Sequence, residues 1–163
     1  MATTEKMTVS LVPSSPDDEA SPRLPLDLSV GYQVRVTHRL FQRVLQTKIE
    51  PHGVTLGMWY FLRVLWDQDG MTQSELSQRI GTMEPTTLSA VRDMERSGFV
   101  ERVRNASDRR KINIHLTEKG RALREMLLPL AIEVVGTALA GFSEREVTML
   151  LALLAGLQRN LQE

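Results

Sequence analysis

The sequence predicts a mainly α-helical fold with one small β-hairpin, and three observations predict it. Thr72-Gln73-Ser74-Glu75 is a capping box, in which the Thr hydroxyl and Glu carboxylate satisfy amide donors at a helix start. That helix carries Leu76 and Ile80 and stops at Gly81. A second helix opens at Glu84-Pro85, where proline is tolerated because the first-turn N–H has no helical partner. It closes at Ser97-Gly98, since glycine readily supplies the left-handed residue that ends a helix. Phe99 to Arg104 and the alternating Ile112-Asn113-Ile114-His115-Leu116 then read as strands around a polar, basic tip, residues 105–111. Helix, turn, helix and basic-tipped hairpin make a winged helix-turn-helix, a shape that sets one helix in a DNA major groove.

The other elements follow in chain order. Residues 1–26 read as a disordered acidic tail: Pro13, Pro16, Pro22 and Pro25 punctuate a Ser/Asp-rich stretch containing Asp17-Asp18-Glu19, with no periodicity that buries a face. A long helix is expected from Asp27 or Ser29 to Ile49. Val30, Val34, Phe41 and Leu45 form one stripe and Val36, Leu40 and Val44 a second, as at a subunit contact. Pro51-His52-Gly53 breaks it. The next helix starts near Thr55 and carries Met58, Trp59, Leu62, Leu65 and Trp66 to Asp69-Gly70, and Met71 is placed to add a short strand beside the wing. Thr117 caps a helix expected to reach about Ala140 across Pro129. Ser143-Glu144-Arg145-Glu146 is another capping box, opening a helix with Val147, Leu150, Leu154, Leu157 and Leu161. That three-four spacing is a heptad seam. The division is thus 1–26 tail, 27–50 and 117–163 helical dimerisation region, and 54–116 winged helix-turn-helix.

Charge supports the hairpin reading locally. The chain has 20 Lys+Arg against 20 Asp+Glu, so net charge gives no general pull toward phosphate. Arg102, Arg104, Arg109, Arg110 and Lys111 nevertheless stand within ten residues that hold one acid, Asp108. Local phosphate contacts, not net charge, set salt-sensitive affinity. The alternative is a winged-helix dimerisation or protein-interaction module that does not read DNA, for which five cations in ten residues bring no gain.

Several function classes drop out. With no cysteine there is no disulfide, thiolate metal site or thiol redox sensor. No apolar run reaches the roughly 18–20 residues of a bilayer span, and the N-terminus lacks signal-peptide character, so a cytoplasmic protein without membrane contact is expected. His38, His52 and His115 share no metal-ligand spacing. Neither a phosphate loop nor a nucleophile elbow is present. No enzyme activity, cofactor or metal is expected.

In Thr72–Ser77, Glu84-Pro85-Thr86-Thr87, Asp93–Val100, Asp108-Arg109-Arg110-Lys111 and Leu116-Thr117-Glu118-Lys119-Gly120, the chain resembles the MarR-type (multiple antibiotic resistance regulator) transcription factors. The likeness runs from about Leu26 to the C-terminus. The wing tip and the LTEKG junction carry it in combination. The resemblance implies a homodimer whose first and last helices interlock. It also implies repression from a pseudo-palindromic operator on double-stranded DNA, with release by a small aromatic ligand. A two-fold dimer requires an operator that mirrors its symmetry.

Site residues carry over by position. Thr86 stands at the groove, with Leu88, Ser89 and Arg92 on the same outward face. Met83, Thr87, Ala90, Val91 and Met94 face inward. Thr87 departs from an ordinarily apolar position, and Leu88 is apolar for a solvent-facing one. A thymine methyl contact and a surface residue of no consequence are both open for Leu88. Glu84 is a cytosine-amino acceptor or a first-turn acid favouring the helix dipole. Asp108 braces Arg110, Arg109 enters the minor groove, and Arg104 and Lys111 meet phosphates. Gln73 and Ser74 donate to the backbone. A ligand pocket is expected between the long first helix, the second helix and the helix after the wing. Its candidates are Tyr32, Val36, His38, Arg39, Trp59, Arg63 and Trp66, which suit an aromatic acid or its CoA thioester. The competing reading makes the tryptophans core and the arginines solvent pairs.

Overall fold

The computed structural model describes residues 24–162; the tail expected over 1–26 lies outside these residues up to position 23. The chain divides into two units between Leu40 and Phe41. In the first, a turn closed by Leu28 N–H donating to the Pro25 carbonyl (3.1 Å) leads into helix α1 (Val30–Ile49). The Gln33 side-chain amide folds back onto the Leu26 carbonyl at 3.1 Å. Val30, Val34 and Leu40 are exposed and Val36 is half-buried.

In the second unit, α1 buries Ile49 and ends in a 3-10 turn (Glu50–His52). Gly53, at φ +74°, ends that turn in the left-handed region glycine permits. Helix α2 (Leu56–Asp67) has Thr55 as N-cap, its hydroxyl accepting from Met58 N–H. It buries Met58, Trp59, Phe61, Leu62 and Leu65, more than one apolar stripe, as suits a helix surrounded by others.

Strand β1 (Met71–Thr72), helix α3 (Gln73–Ile80), helix α4 (Glu84–Arg96), strand β2 (Val100–Arg104) and strand β3 (Ile112–Leu116) follow. The sheet is antiparallel in the order β1-β3-β2, with Met71 opposite Ile114, Thr72 opposite Asn113, and Arg104 opposite Ile112. Both sides of the Thr72–Glu75 capping box are formed. Leu76 of α3, Val91 and Met94 of α4, Phe99, and Ile114 and Leu116 of β3 meet α2 in one core. Within it the Ser77 hydroxyl donates to Thr87 Oγ1 at 2.8 Å. A hydroxyl pair satisfies a polar contact that burial would otherwise make costly, and this accounts for a threonine at a core position.

Helix α5 (Glu118–Ala138) begins at Thr117, whose hydroxyl accepts from Gly120 N–H (3.0 Å). Gly120 is buried against strand β2's approach: an added Cβ would lie 2.0 Å from the Phe99 carbonyl oxygen. Its own carbonyl accepts from Trp66 Nε1 at 2.9 Å. The LTEKG junction therefore needs glycine for close packing. Pro129 sits inside α5, so the Glu125 carbonyl gains no helical N–H from it. Helix α6 (Glu144–Asn160) forms the second capping box, Ser143 with Glu146. It buries no residue within its own chain. Val147 and Leu154 are half-buried, and Leu150, Leu157 and Leu161 are exposed, as are Met149, Leu151 and Leu153.

Candidate nucleic-acid interface

Three elements bring their polar ends together. Helix α3, chiefly its first turn, the start of α4 and the tip end of the wing line an open cleft of about 400 Å³ formed by Thr72, Gln73, Ser74, Glu75, Gln78, Glu84, Arg110, Lys111 and Ile112. Of the expected DNA-contacting residues, Gln73, Ser74, Glu84, Arg110 and Lys111 share this cleft. Thr86, Ser89 and Arg92 are exposed along α4. Arg104 is exposed at the end of β2 and Arg109 at the wing tip. Glu75 draws its carboxyl below the usual value, first through the Thr72 backbone N–H, then its hydroxyl, with Lys111 adding to the effect.

Two readings of α4 need correction. Thr87, Val91 and Met94 are buried and Ala90 half-buried, but Met83 is 75% exposed. Met83 is the N-cap, in extended conformation (φ −79°, ψ 145°). Extrapolating helical periodicity one residue past the helix start therefore aims its side chain wrongly. Leu88 is half-buried rather than solvent-facing.

The wing tip is held by its own polar atoms. Asn105 Oδ1 accepts from Ser107 N–H (2.9 Å), Ser107 Oγ (2.7 Å) and Asp108 N–H (3.0 Å). Asp108 Oδ1 accepts from Arg110 N–H (3.1 Å) and Arg110 Nε (3.2 Å). These bonds hold the Asp108 carboxyl below its ordinary value, the backbone bond first. Arg102 is drawn back onto Glu95 at the end of α4, 2.9 Å away, which no local sequence signal announced. The five-cation run is thus not uniform. Arg102 and Arg110 have carboxylate partners, while Arg104, Arg109 and Lys111, with Arg92 on α4, have none among the described residues. These four remain available to phosphate.

The MarR family's sequence profile matches residues 54–112. The HTH-type transcriptional regulator TtmR of Methylorubrum extorquens (strain PA1) is 30% identical over 99 residues, 61% of this chain and 51% of TtmR. This chain thus spans about half the length of that relative. Residues 54–112 therefore match a MarR-family domain. The relatives this chain matches are transcriptional regulators. The HTH-type transcriptional repressor YetL of Bacillus subtilis (strain 168) is 28% identical over 116 residues, 70% of each chain. The crystal structure of an S. aureus MepR–DNA complex matches with a TM-score of 0.74 and 26% identity, covering 83% of this chain and 98% of that one.

A second, apolar cleft of about 390 Å³ lies between the second half of α1, helix α2 and the second half of α5. It is lined by Phe41, Gln42, Leu45, Trp59, Tyr60, Arg63, Leu128, Ala131, Ile132, Val134 and Val135. Trp59 and Arg63 of the expected ligand set line it, with the Arg63 guanidinium 5.8 Å from the Trp59 ring centre. Trp66, edge-on to Trp59, faces a separate polar cleft with Arg63, Asp67, Arg79 and Arg124. Tyr32, Val36, His38 and Arg39 belong to the unit that ends at Leu40. Sequence reasoning missed Phe41, Leu45, Tyr60 and the α5 residues. The periodicity of α1 and α5 marked several of them as apolar without distinguishing a cleft wall from core. Among the described residues no helix is long and apolar enough to cross a membrane, and no three His, Asp or Glu side chains group as metal ligands.

Proposed function

We propose that this chain is a MarR-type homodimeric repressor that reads a pseudo-palindromic operator and releases it on binding a small aromatic acid or its CoA thioester. The observation that carries the DNA reading is the shared cleft. The α3 N-terminus, the start of α4 and the wing converge there, with Lys111 on its wall; Arg92, Arg104 and Arg109 are exposed on α4 and the wing, and none of the four has a carboxylate partner among the described residues. In this reading α4 enters the major groove with Thr86, Leu88, Ser89 and Arg92 toward base edges, Glu84 at its first turn, and Arg109 in the minor groove. Gln73, Ser74, Arg104 and Lys111 hold the phosphates, and Asp108 braces Arg110.

The dimer is supported by α6. A helix with apolar residues at Val147, Leu150, Leu154, Leu157 and Leu161 that buries none of them in its own chain suits a second copy. The YetL relative is a repressor and MepR is seen on DNA, which favours the repressor reading. The effector reading rests on the α1–α2–α5 cleft, where Trp59, Tyr60 and Phe41 give apolar walls and Arg63 a cation for the acid group.

A gel shift on a duplex recovered by the protein from a random pool, repeated over a salt series, tests the DNA reading. Steeply salt-dependent binding is expected. Recovery of no duplex would leave a dimerisation or protein-interaction module. Adding aromatic acids and their CoA esters to the same assay tests the effector.

A further inference from the structure

A continuous chain of polar contacts runs from helix α5 to the wing tip. Arg121 Nη2 of α5 donates to Asp69 Oδ2 at 3.0 Å. Asp69 Oδ1 accepts from Leu116 N–H of β3 (2.8 Å) and from Gly70 N–H (2.9 Å). The Gly70 carbonyl accepts from Asn113 Nδ2 at 2.7 Å, and Asn113 Oδ1 accepts from Asn105 Nδ2 at 2.9 Å. Asn105 Oδ1 then collects the Ser107 and Asp108 amides, and Asp108 holds Arg110.

The placement of this chain matters because of where the sheet stops. Strand β1 is two residues long, and its last pairing is Thr72 with Asn113. Beyond that point the wing is a bare two-stranded hairpin, which is marginal in water by itself. Asn113 sits at the last pairing of the third strand, and its side chain links the Gly70 carbonyl, at the root of that strand, to Asn105 at the wing tip. A side-chain amide can do this because it donates and accepts at once.

We infer that Asn113 and Asn105 are positioning residues for DNA contact: they carry the support of α5 and Asp69 outward and fix the orientation in which Arg109 leaves the wing. The inference rests on the reading of the wing as a DNA contact, and it assigns a role to two uncharged residues that touch no phosphate themselves. Asn105 also ties the tip to the end of β2, since its one side-chain oxygen satisfies three donors there.

The test is a double-mutant cycle on a duplex recovered from a random pool by the unaltered protein, with thermal melting as the check on folding. Asn113→Ala, which removes two side-chain hydrogen bonds, and Asn105→Ala, which removes four, are each expected to bind about tenfold more weakly or worse. Each is also expected to lower the slope of log affinity against log salt. In the Arg109→Ala background the same substitutions are expected to cost little more, because the group they position is gone. Native-like binding by both variants, or losses that multiply with that of Arg109→Ala, overturns the inference. If Asn113→Ala does not fold, Asn105→Ala decides alone, since it lies in the tip and outside the core. If Arg109→Ala itself binds as the unaltered protein does, the wing reading fails first, and the two failures are told apart.

Discussion

Replacing Gly120 with alanine sets two physical effects against each other. Alanine is the better helix former, and in the first turn of α5 it is worth up to about 1 kcal/mol over glycine. Against this, the new Cβ would stand 2.0 Å from the Phe99 carbonyl oxygen, where real Cβ atoms essentially never come within 3.0 Å of a neighbour. That neighbour is backbone and cannot rotate away, so the start of α5 must withdraw by about 1 Å or more. Three of the hydrogen bonds that seat the start of α5 on its neighbours are put at risk. Thr117 N–H donates to the Phe99 carbonyl at 3.0 Å, Thr117 Oγ1 to the Gly98 carbonyl at 2.7 Å, and Trp66 Nε1 to the Gly120 carbonyl at 2.9 Å. At about 1 kcal/mol each, their loss exceeds the helical gain, and loosened packing around Leu116 and Leu123 adds to it. Gly120→Ala is expected to lose roughly 2–4 kcal/mol of stability, or about 5–15 °C in Tm for a domain of this size. Urea and thermal unfolding at one fixed protein concentration measure it, because the apparent stability of any chain that self-associates depends on concentration. A variant as stable as the unaltered protein, or more so, would show that propensity governs this turn and that α5 tolerates a looser seat on β2.

Deleting the chain after Ala140 is expected to abolish dimerisation and operator binding, measured by sedimentation and gel shift; a truncated protein that sediments as a dimer counts against the α6 seam. Arg109→Ala is expected to lower the salt slope of DNA binding by about one, and an unchanged slope points away from phosphate. Asp108→Ala removes a negative charge yet is expected to weaken binding, because the carboxylate holds the Arg110 N–H and Nε; tighter binding would refute the brace. Asp108 also sets a pH window. Its folded-state pKa is lowered, so its contribution is fully present above the ordinary aspartate value of about 3.9 and lost as pH falls through the lowered value. The Arg110 amide resonance is expected to titrate below that ordinary value, and a midpoint at or above it would contradict the brace. Arg63→Ala is expected to leave DNA binding intact while blunting release by an aromatic acid, read in the gel shift with added acid.

What was legible in the sequence was local. Thr72 with Glu75 and Ser143 with Glu146 announce their helices within four residues, and both boxes form as read. Gly53 and Gly81 end their elements, and β1 appears at Met71 as expected. Burial along α4 failed where the helix ends: Met83 precedes the periodic part and its side chain follows extended geometry. The site was less legible because its contacts are tertiary. Arg102 finds Glu95 seven residues away, and Asn113 finds Gly70 forty-three residues away. Composition marks neither pair. The apolar α1–α2–α5 cleft was located by its helices, but α5 residues such as Leu128 and Ile132 carry no signal that separates wall from core.

The two tryptophans are the only indoles in the chain, and their placement gives the protein an optical gauge. Trp59 lines the apolar cleft, while Trp66 is hydrogen-bonded to the first turn of α5, directly after the wing. Their rings lie 5.7 Å apart at 77°, close enough for their excited states to couple. A molecule in the cleft would change the surroundings of one chromophore, and a withdrawal of α5 would free the indole N–H of the other. Near-ultraviolet dichroism and fluorescence of the unlabelled protein would therefore report on the cleft and on the wing's root separately.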